Sequence, residues 1–343
     1  MVQNDLPKTI LVYVGLDRVG DSLLKLPFVR GLRQAYPDAH ITWLAGKDTS
    51  VYASIMAPVV KGLIDEVIEH PGAVEGNGPG IGLSPKELLR RPLKGRAFDL
   101  IIDTQKVAIA TAILFRIRHK KFVSPFGNFI LSSNKPPKNY QFPKLMPRQM
   151  LDLLEITTGQ RFPTPDQLNI ALDPKFEDAA TTTLPNGPTY IGLSPGAGGL
   201  PKCWPLEKFI QLAQEQSTLG RAPVFILGPQ ELDWQAEIEA AVPEALFPLQ
   251  KDNLGATHNF APELTMALAK RLALAVSNDS GTGHMFATGG AKLISLFGRT
   301  VPEKFTPMTT NLTIIRAQDY GGREMHFIPV EAVTQAIETV LAG

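Results

Sequence analysis

Short runs of apolar and β-branched residues, each followed by a polar turn and a longer stretch with apolar positions three and four apart, recur along the chain. This alternation predicts parallel α/β architecture rather than separate blocks of strand and helix. One set of expected strands falls at residues 9–14, 40–44, 66–69, 98–103 and 121–124. A second falls at 189–193, 224–227, 272–276 and 292–297. Between them, residues 158–188 are rich in Thr, Pro and Gly, with prolines at 163, 165, 174, 185 and 188, as suits an interdomain connection. The pattern therefore predicts two doubly wound domains. The closing stretch, residues 330–341, has helical periodicity.

The turns after the strands carry the chemistry. After the first strand comes Gly15-Leu-Asp-Arg-Val-Gly20-Asp21-Ser22, nearly the P-loop spacing G-x-x-x-x-G-K-[ST], but Asp21 stands where the lysine should be. A carboxylate there repels phosphates, so nucleoside triphosphate hydrolysis is excluded, and no G-x-G-x-x-G follows to bind a dinucleotide. Asp21 then reads either as a catalytic base at the C-terminal edge of the sheet or as the cap of a helix over residues 22–36.

In the second half, the turn Ser194-Pro-Gly-Ala-Gly-Gly-Leu-Pro-Lys202 allows close backbone approach and places a cation beside it, with Pro205 expected at the first helical position. Glu231 follows the next strand, where it either accepts from a ribose hydroxyl or favours its own helix start. The run Asp279-Ser280-Gly281-Thr282-Gly283 leads to a helix expected from His284. Hydroxyls, free N–H groups and the helix dipole there favour an anion such as a pyrophosphate; the alternative is an ordinary turn and cap.

Composition narrows the class. The chain has 343 residues, 44% of them hydrophobic, enough for one large core or two moderate ones. A net charge of +1 is no nucleic-acid signature. The single cysteine, Cys203, excludes an internal disulfide and fits a reducing compartment; beside Lys202 it reads as an incidental thiol, since no Cys-His motif accompanies it. No apolar run approaches the ~20 residues of a membrane span, and the start lacks a signal-peptide core, so a cytoplasmic location is expected. No Asp-x-Asp pair or spaced His pair offers a metal site.

Charge is uneven. Between Asp103 and Asp152 there is no acidic residue, while Lys106, Arg116, Arg118, Lys120, Lys121, Lys135, Lys138, Lys144 and Arg148 all fall there. Such a segment suits an anionic partner, with Arg18, Lys135 and Lys138 as candidate contacts, or it is a solvated basic face with a flexible stretch at residues 132–147. The glycine-rich stretch from Pro71 to Pro92 reads as a mobile loop with a capping box at Ser84–Glu87.

Three segments, GDSLLKLPFVRGLRQAYPDAHITWL near the start, LSPGAG with KCWP and FIQLA in the middle, and SNDSGTGHMFATGG with SLFGRTVPEKFTP towards the end, resemble glycosyltransferase family 9, the ADP-heptose:lipopolysaccharide heptosyltransferases. The resemblance implies a GT-B fold of two Rossmann-like domains facing across a cleft. Its parts would be an acceptor-binding domain at 1–165, a connection at 166–188, a nucleotide-sugar domain at 189–327 and a C-terminal helix at 328–343 packing back on the first domain. By motif it makes Asp21 the base, Lys202 a contact to donor phosphate, and Glu231 a ribose ligand. Asp279, Ser280, Gly281 and His284 would surround the donor sugar and pyrophosphate. It implies an inverting transfer from a nucleotide sugar, with no required cofactor, to an anionic lipid-linked saccharide, with peripheral contact at the inner membrane and no nucleic-acid partner. Gly283 and Thr288-Gly-Gly-Ala depart from the family pattern and leave the donor open. The alternatives are a related transferase using another nucleotide sugar for a different surface glycan, or a nucleotide-sugar-binding homologue without turnover.

Overall fold

In the computed structural model, which describes residues 6–69 and 92–342, the chain forms two compact units that divide between Thr164 and Pro165. The glycine-rich stretch at residues 71–91, with its expected capping box at Ser84–Glu87, lies outside the described residues.

The first unit holds a five-stranded parallel sheet in the order β3-β2-β1-β4-β5. Its strands are β1 (Thr9–Val14), β2 (His40–Ala45), β3 (Glu66–Ile68), β4 (Ala97–Asp103) and β5 (Arg118–Val123). The chain leaves β1 towards β2 on one side and returns to β4 on the other, so the strand order reverses between β1 and β4. Their register pairs Tyr13 with Asp103 at the C-terminal edge. Ile10 to Val14 and Leu100 to Ile102 are fully buried, as a sheet covered on both faces demands.

The second sheet is also five-stranded and parallel, ordered β10-β9-β8-β6-β7. It comprises β6 (Tyr190–Ser194), β7 (Ala222–Phe225), β8 (Leu274–Asn278), β9 (Leu293–Phe297) and β10 (Leu312–Arg316). Its reversal lies between β6 and β8, with Ser194 opposite Ser277. Strand β10 is absent from the sequence expectation. It is an edge strand whose first three residues are only half-buried, so its apolar signal is short.

Two helices complete the second unit's core. The stretch read as a connection contains the helix Pro174–Thr183, capped by Asp173, whose side chain accepts from Lys175 N at 3.1 Å. Phe176, Ala180 and Leu184, four apart, place one apolar face of that helix in the second unit's core. The final helix, Val330–Ala342, buries Val330, Val333 and Ile337 in this unit's core, with Trp204, Phe209 and Leu296. Arg221 bonds Glu338 and Lys292 donates to Val340 O at 2.9 Å, fixing it further.

Candidate active site

In the first unit, helix Val19–Ala35 begins at Val19, not Ser22. Asp21 is therefore the third helical residue and not the cap. Arg18 occupies the cap position with extended backbone and makes no side-chain capping bond. Asp21 is half-buried in the first turn, where the helix dipole favours a carboxylate.

The residue that organises this turn is Asp17, which the sequence reading passed over. Its buried carboxylate accepts from Ser22 Oγ, Lys25 Nζ and Trp43 Nε1, each at 2.9 Å, and from Ser50 Oγ. Lys25 Nζ also donates to Leu16 O at 2.8 Å. One carboxylate thus ties the end of β1 to the helix, to β2 and to the following loop. Lys25 in an otherwise apolar helical stripe was the available signal.

Asp103 ends β4 and accepts from Thr111 Oγ1 at 2.6 Å, Ser124 Oγ at 2.8 Å and Gln105 N at 2.9 Å. Burial outweighs these donors and pushes its carboxyl up to about 6.

The basic segment is partly self-satisfied. Lys120 pairs with Asp99 at 2.7 Å, and Arg148 with Asp152 at 2.6 Å and Glu155 at 2.7 Å. Residues 132–147 bond to β5 and to the helix Met146–Thr158. Ser133 N donates to Phe122 O at 2.7 Å, Ser132 bonds both ways with Ser124, and Tyr140 OH donates to Asp152 at 2.7 Å. The Ser132 and Ser133 bonds satisfy backbone groups at the edge of β5. Lys135 and Lys138 are exposed and form no ion pair among the described residues.

The second unit gathers most of the predicted donor residues at the strand reversal, where ligands of open α/β sheets bind. Helix Gly281–Thr288 starts at Gly281, three residues before the expected point. Ser280 is its cap, and its Oγ accepts from Gly283 N at 3.4 Å, leaving the N–H groups of Gly281 and Thr282 for an anion. Gly283 is explained by packing: a Cβ there would stand 2.5 Å from Ser277 Oγ on β8. The helix therefore starts early because its first turn lies directly on the strand.

Lys202 ends a 3₁₀ turn, Leu200–Lys202, and its Nζ stands 3.8 Å from Asp279 Oδ2. Burial raises the Asp279 carboxyl, and the Thr300 hydroxyl and Lys202 partly offset this. Thr300, just after β9, is a site residue that the sequence reading missed; its position past a strand end was the signal. Glu231 accepts from Gly228 N at 3.0 Å and lies against Gly196, where an added Cβ would be 2.4 Å from Glu231 Oε1. The two Gly-containing turns after β6 and β7 therefore meet through Glu231, whose carboxyl is raised by burial.

His284 is the fourth residue of helix Gly281–Thr288. It is buried, which lowers its imidazole to about 4 and leaves it neutral at physiological pH. The Cys203 thiol is raised by burial and by Glu231, so it is not an activated nucleophile. Pro205 is the cap of helix Leu206–Thr218 rather than its first residue, and Trp204 is buried with Nε1 donating to Ile328 O at 3.0 Å. Among the described residues no group of three or more His, Cys, Asp or Glu side chains is placed to hold a metal ion.

Two parallel-sheet units, one bearing an anion-ready helix start with a lysine and half-buried carboxylates near its strand reversal, define a glycosyltransferase of the GT-B fold. The chain belongs to glycosyltransferase family 9 (heptosyltransferase), whose model matches residues 87–327. It is 25% identical over 319 residues to lipooligosaccharide heptosyltransferase 2 of Haemophilus influenzae, covering 89% of this chain and 88% of that one. Among solved structures, a family 9 glycosyl transferase from Veillonella parvula superposes with a TM-score of 0.70 at 20% identity, over 98% of this chain and 97% of the other. The E. coli heptosyltransferase WaaC with ADP-2-deoxy-2-fluoro heptose gives 0.63 at 19%, over 96% and 99%. At these identities the structural likeness speaks for the fold.

Proposed function

We propose that the protein transfers a heptose, with inversion, from ADP-heptose to an anionic, lipid-linked saccharide of the lipopolysaccharide inner core. The observation that carries the donor half is the Lys202–Asp279 pair, 3.8 Å apart, in the same unit as the Ser280-capped helix start. A lysine and two open N–H groups supply charge stabilisation for a leaving diphosphate. Thr300 holds the Asp279 carboxylate for the sugar, and Glu231 supplies an acceptor for ribose hydroxyls. The choice of heptose and of ADP comes from the similarity to the Haemophilus influenzae heptosyltransferase and to the WaaC complex.

In this reading Asp21 takes the proton from the acceptor hydroxyl as that oxygen attacks the anomeric carbon and the nucleotide diphosphate leaves. Attack opposite the leaving group inverts the configuration. Arg18, Lys135 and Lys138 recognise anionic groups of the acceptor. The diphosphate is neutralised by Lys202 and the helix start, and no metal or other cofactor is part of the reading. The reaction takes place at the cytoplasmic face of the inner membrane.

Calorimetric titration with ADP, UDP and GDP, followed by transfer assays, tests this. ADP should bind in preference, and Asp21→Asn should keep ADP affinity while losing about 10²- to 10⁴-fold in kcat. Preference for UDP or GDP would move the assignment to another nucleotide sugar and glycan. Absence of turnover by wild type with any donor would favour a binding homologue.

A further inference from the structure

At the C-terminal edge of the second sheet three serines stand in register, Ser194 on β6 opposite Ser277 on β8, and Ser277 opposite Ser295 on β9. All three are buried, at 1%, 0% and 2% exposure. Side chains alternate along a strand, so this row shares its face with Tyr190, Ala275 and Leu293, which pack with Phe286 and Ala287 of helix Gly281–Thr288. The neighbouring residues Leu193, Val276 and Leu296 belong to the core on the opposite face. The face under the helix therefore ends in hydroxyls where apolar side chains would pack. Two of them, Ser194 Oγ and Ser277 Oγ, are buried without any hydrogen bond. A buried hydroxyl left without a partner destabilises the fold, so two in register call for a partner that arrives with a ligand.

Their place in the fold says which ligand. The chain leaves β6 for helix Leu206–Thr218 on one face and leaves β8 for helix Gly281–Thr288 on the other, so a crevice opens between the two turns. Ser194 and Ser277 lie at its floor. Ser277 Oγ points at the first turn of the second helix: a Cβ on Gly283 would stand 2.5 Å from it, and the glycine leaves that approach open. The helix start and Lys202, beside Asp279, make the crevice a place for an anion. The spacing of the hydroxyls fits a single water. Adjacent strands run about 4.8 Å apart, and a water bonded at about 2.8 Å on each side spans that gap. A buried water takes roughly two to four polar partners, which two hydroxyls and a phosphate oxygen supply.

We infer that Ser194 and Ser277 form the floor of the diphosphate subsite, jointly holding one water that donates to a phosphate oxygen of the bound donor. The inference rests on the proposed function for the ligand's being a diphosphate. The two hydroxyls add neutral support beneath the charge supplied by Lys202 and the helix start.

The test is calorimetric titration of the full chain with inorganic pyrophosphate and with ADP, alongside thermal unfolding without ligand. Ser194→Ala and Ser277→Ala should each weaken both ligands by roughly tenfold, the size of one hydrogen bond to a charged group. Neither should lower the melting temperature of the ligand-free protein, because the hydroxyl removed has no partner there. A serine with a purely structural role would behave the other way round, losing stability and keeping affinity. The double variant should lose little more than either single one, since both hydroxyls hold the same water, whereas independent contacts would multiply. Pyrophosphate affinity undiminished in both single variants, or losses that multiply in the double variant, overturns the inference. So does a wild type that binds neither pyrophosphate nor ADP. If pyrophosphate binding depends on both serines while ADP gains nothing over UDP or GDP, the ADP assignment fails and the subsite stands.

Discussion

Asn278 spans the strand reversal of the second sheet by donating through Nδ2 to the Pro195 carbonyl at 2.7 Å. The same side chain accepts from Trp204 N at 2.9 Å through Oδ1. A single buried amide at the end of β8 thereby fixes both ends of the turn that carries Gly196 and Lys202. Asp279, the next residue, is held by its own N–H to Leu296 O at 3.0 Å. The distance between Lys202 and Asp279 is therefore set by β6, β8 and β9 together, and not by the turn alone.

Replacing Asn278 with leucine removes both bonds and leaves the Pro195 carbonyl and the Trp204 N–H without their partner. The expected cost is about 2–4 kcal/mol of unfolding free energy, from two polar groups losing their bonds. Nucleotide affinity should fall further than stability alone explains, because the turn bearing Lys202 loses its anchor. Urea denaturation alongside ADP calorimetry checks this; unchanged affinity in a folded variant would remove Asn278 from the site's support.

Lys25→Met should be among the most damaging single changes in the first unit. It leaves the Asp17 carboxylate, fully buried, with neutral donors only, and breaking such a pair costs about 3–5 kcal/mol. Asp17→Asn combined with Lys25→Met should recover much of that loss, because no uncompensated charge remains. A double-mutant cycle by chemical denaturation measures the coupling, and additive losses would show that the pair is not coupled.

Two buried groups should pull stability in opposite directions with pH. Burial raises Asp103 from 3.8 to about 6, so its contribution is fully present below pH 3.8 and is lost as pH rises through about 6. Burial lowers His284 from 6.5 to about 4, so its contribution is present above pH 6.5 and is lost as pH falls through about 4. Relative to wild type, Asp103→Asn should become more stable as pH rises across its window, and His284→Asn more stable as pH falls across its own. Each slope is at most about 1.4 kcal/mol per pH unit. Hydrogen exchange read separately in the two units resolves them, and flat differences would refute the burial argument.

The places of most strands along the chain, the division into two α/β halves and the residue types at the strand ends were legible because buried parallel strands read as apolar runs whatever surrounds them. Asp21, Lys202, Glu231, Asp279 and Ser280 could be picked out because each follows such a run, where the fold places its chemistry. The missed features have specific causes. β10 was lost because an edge strand buries little. The helix starts at Val19 and Gly281 were read late because glycine and hydroxyl residues look like loop, while Gly283 is helical on account of its contact with Ser277. The helix Pro174–Thr183 was hidden in a stretch whose composition suggested a linker.

The sequence by itself therefore determined the family, the two parallel sheets and the set of polar residues that meet at their edges, since these follow from local pattern and motif. Tertiary structure alone decided which charges stay available and which are spent. Asp17 and Lys25 neutralise each other in the core, His284 is held neutral, Lys120 and Arg148 are paired, and the one polar residue of helix Ala108–Phe115 turns inward. Burial and partner choice are set by residues brought together from distant parts of the chain, and no spacing along one segment encodes them.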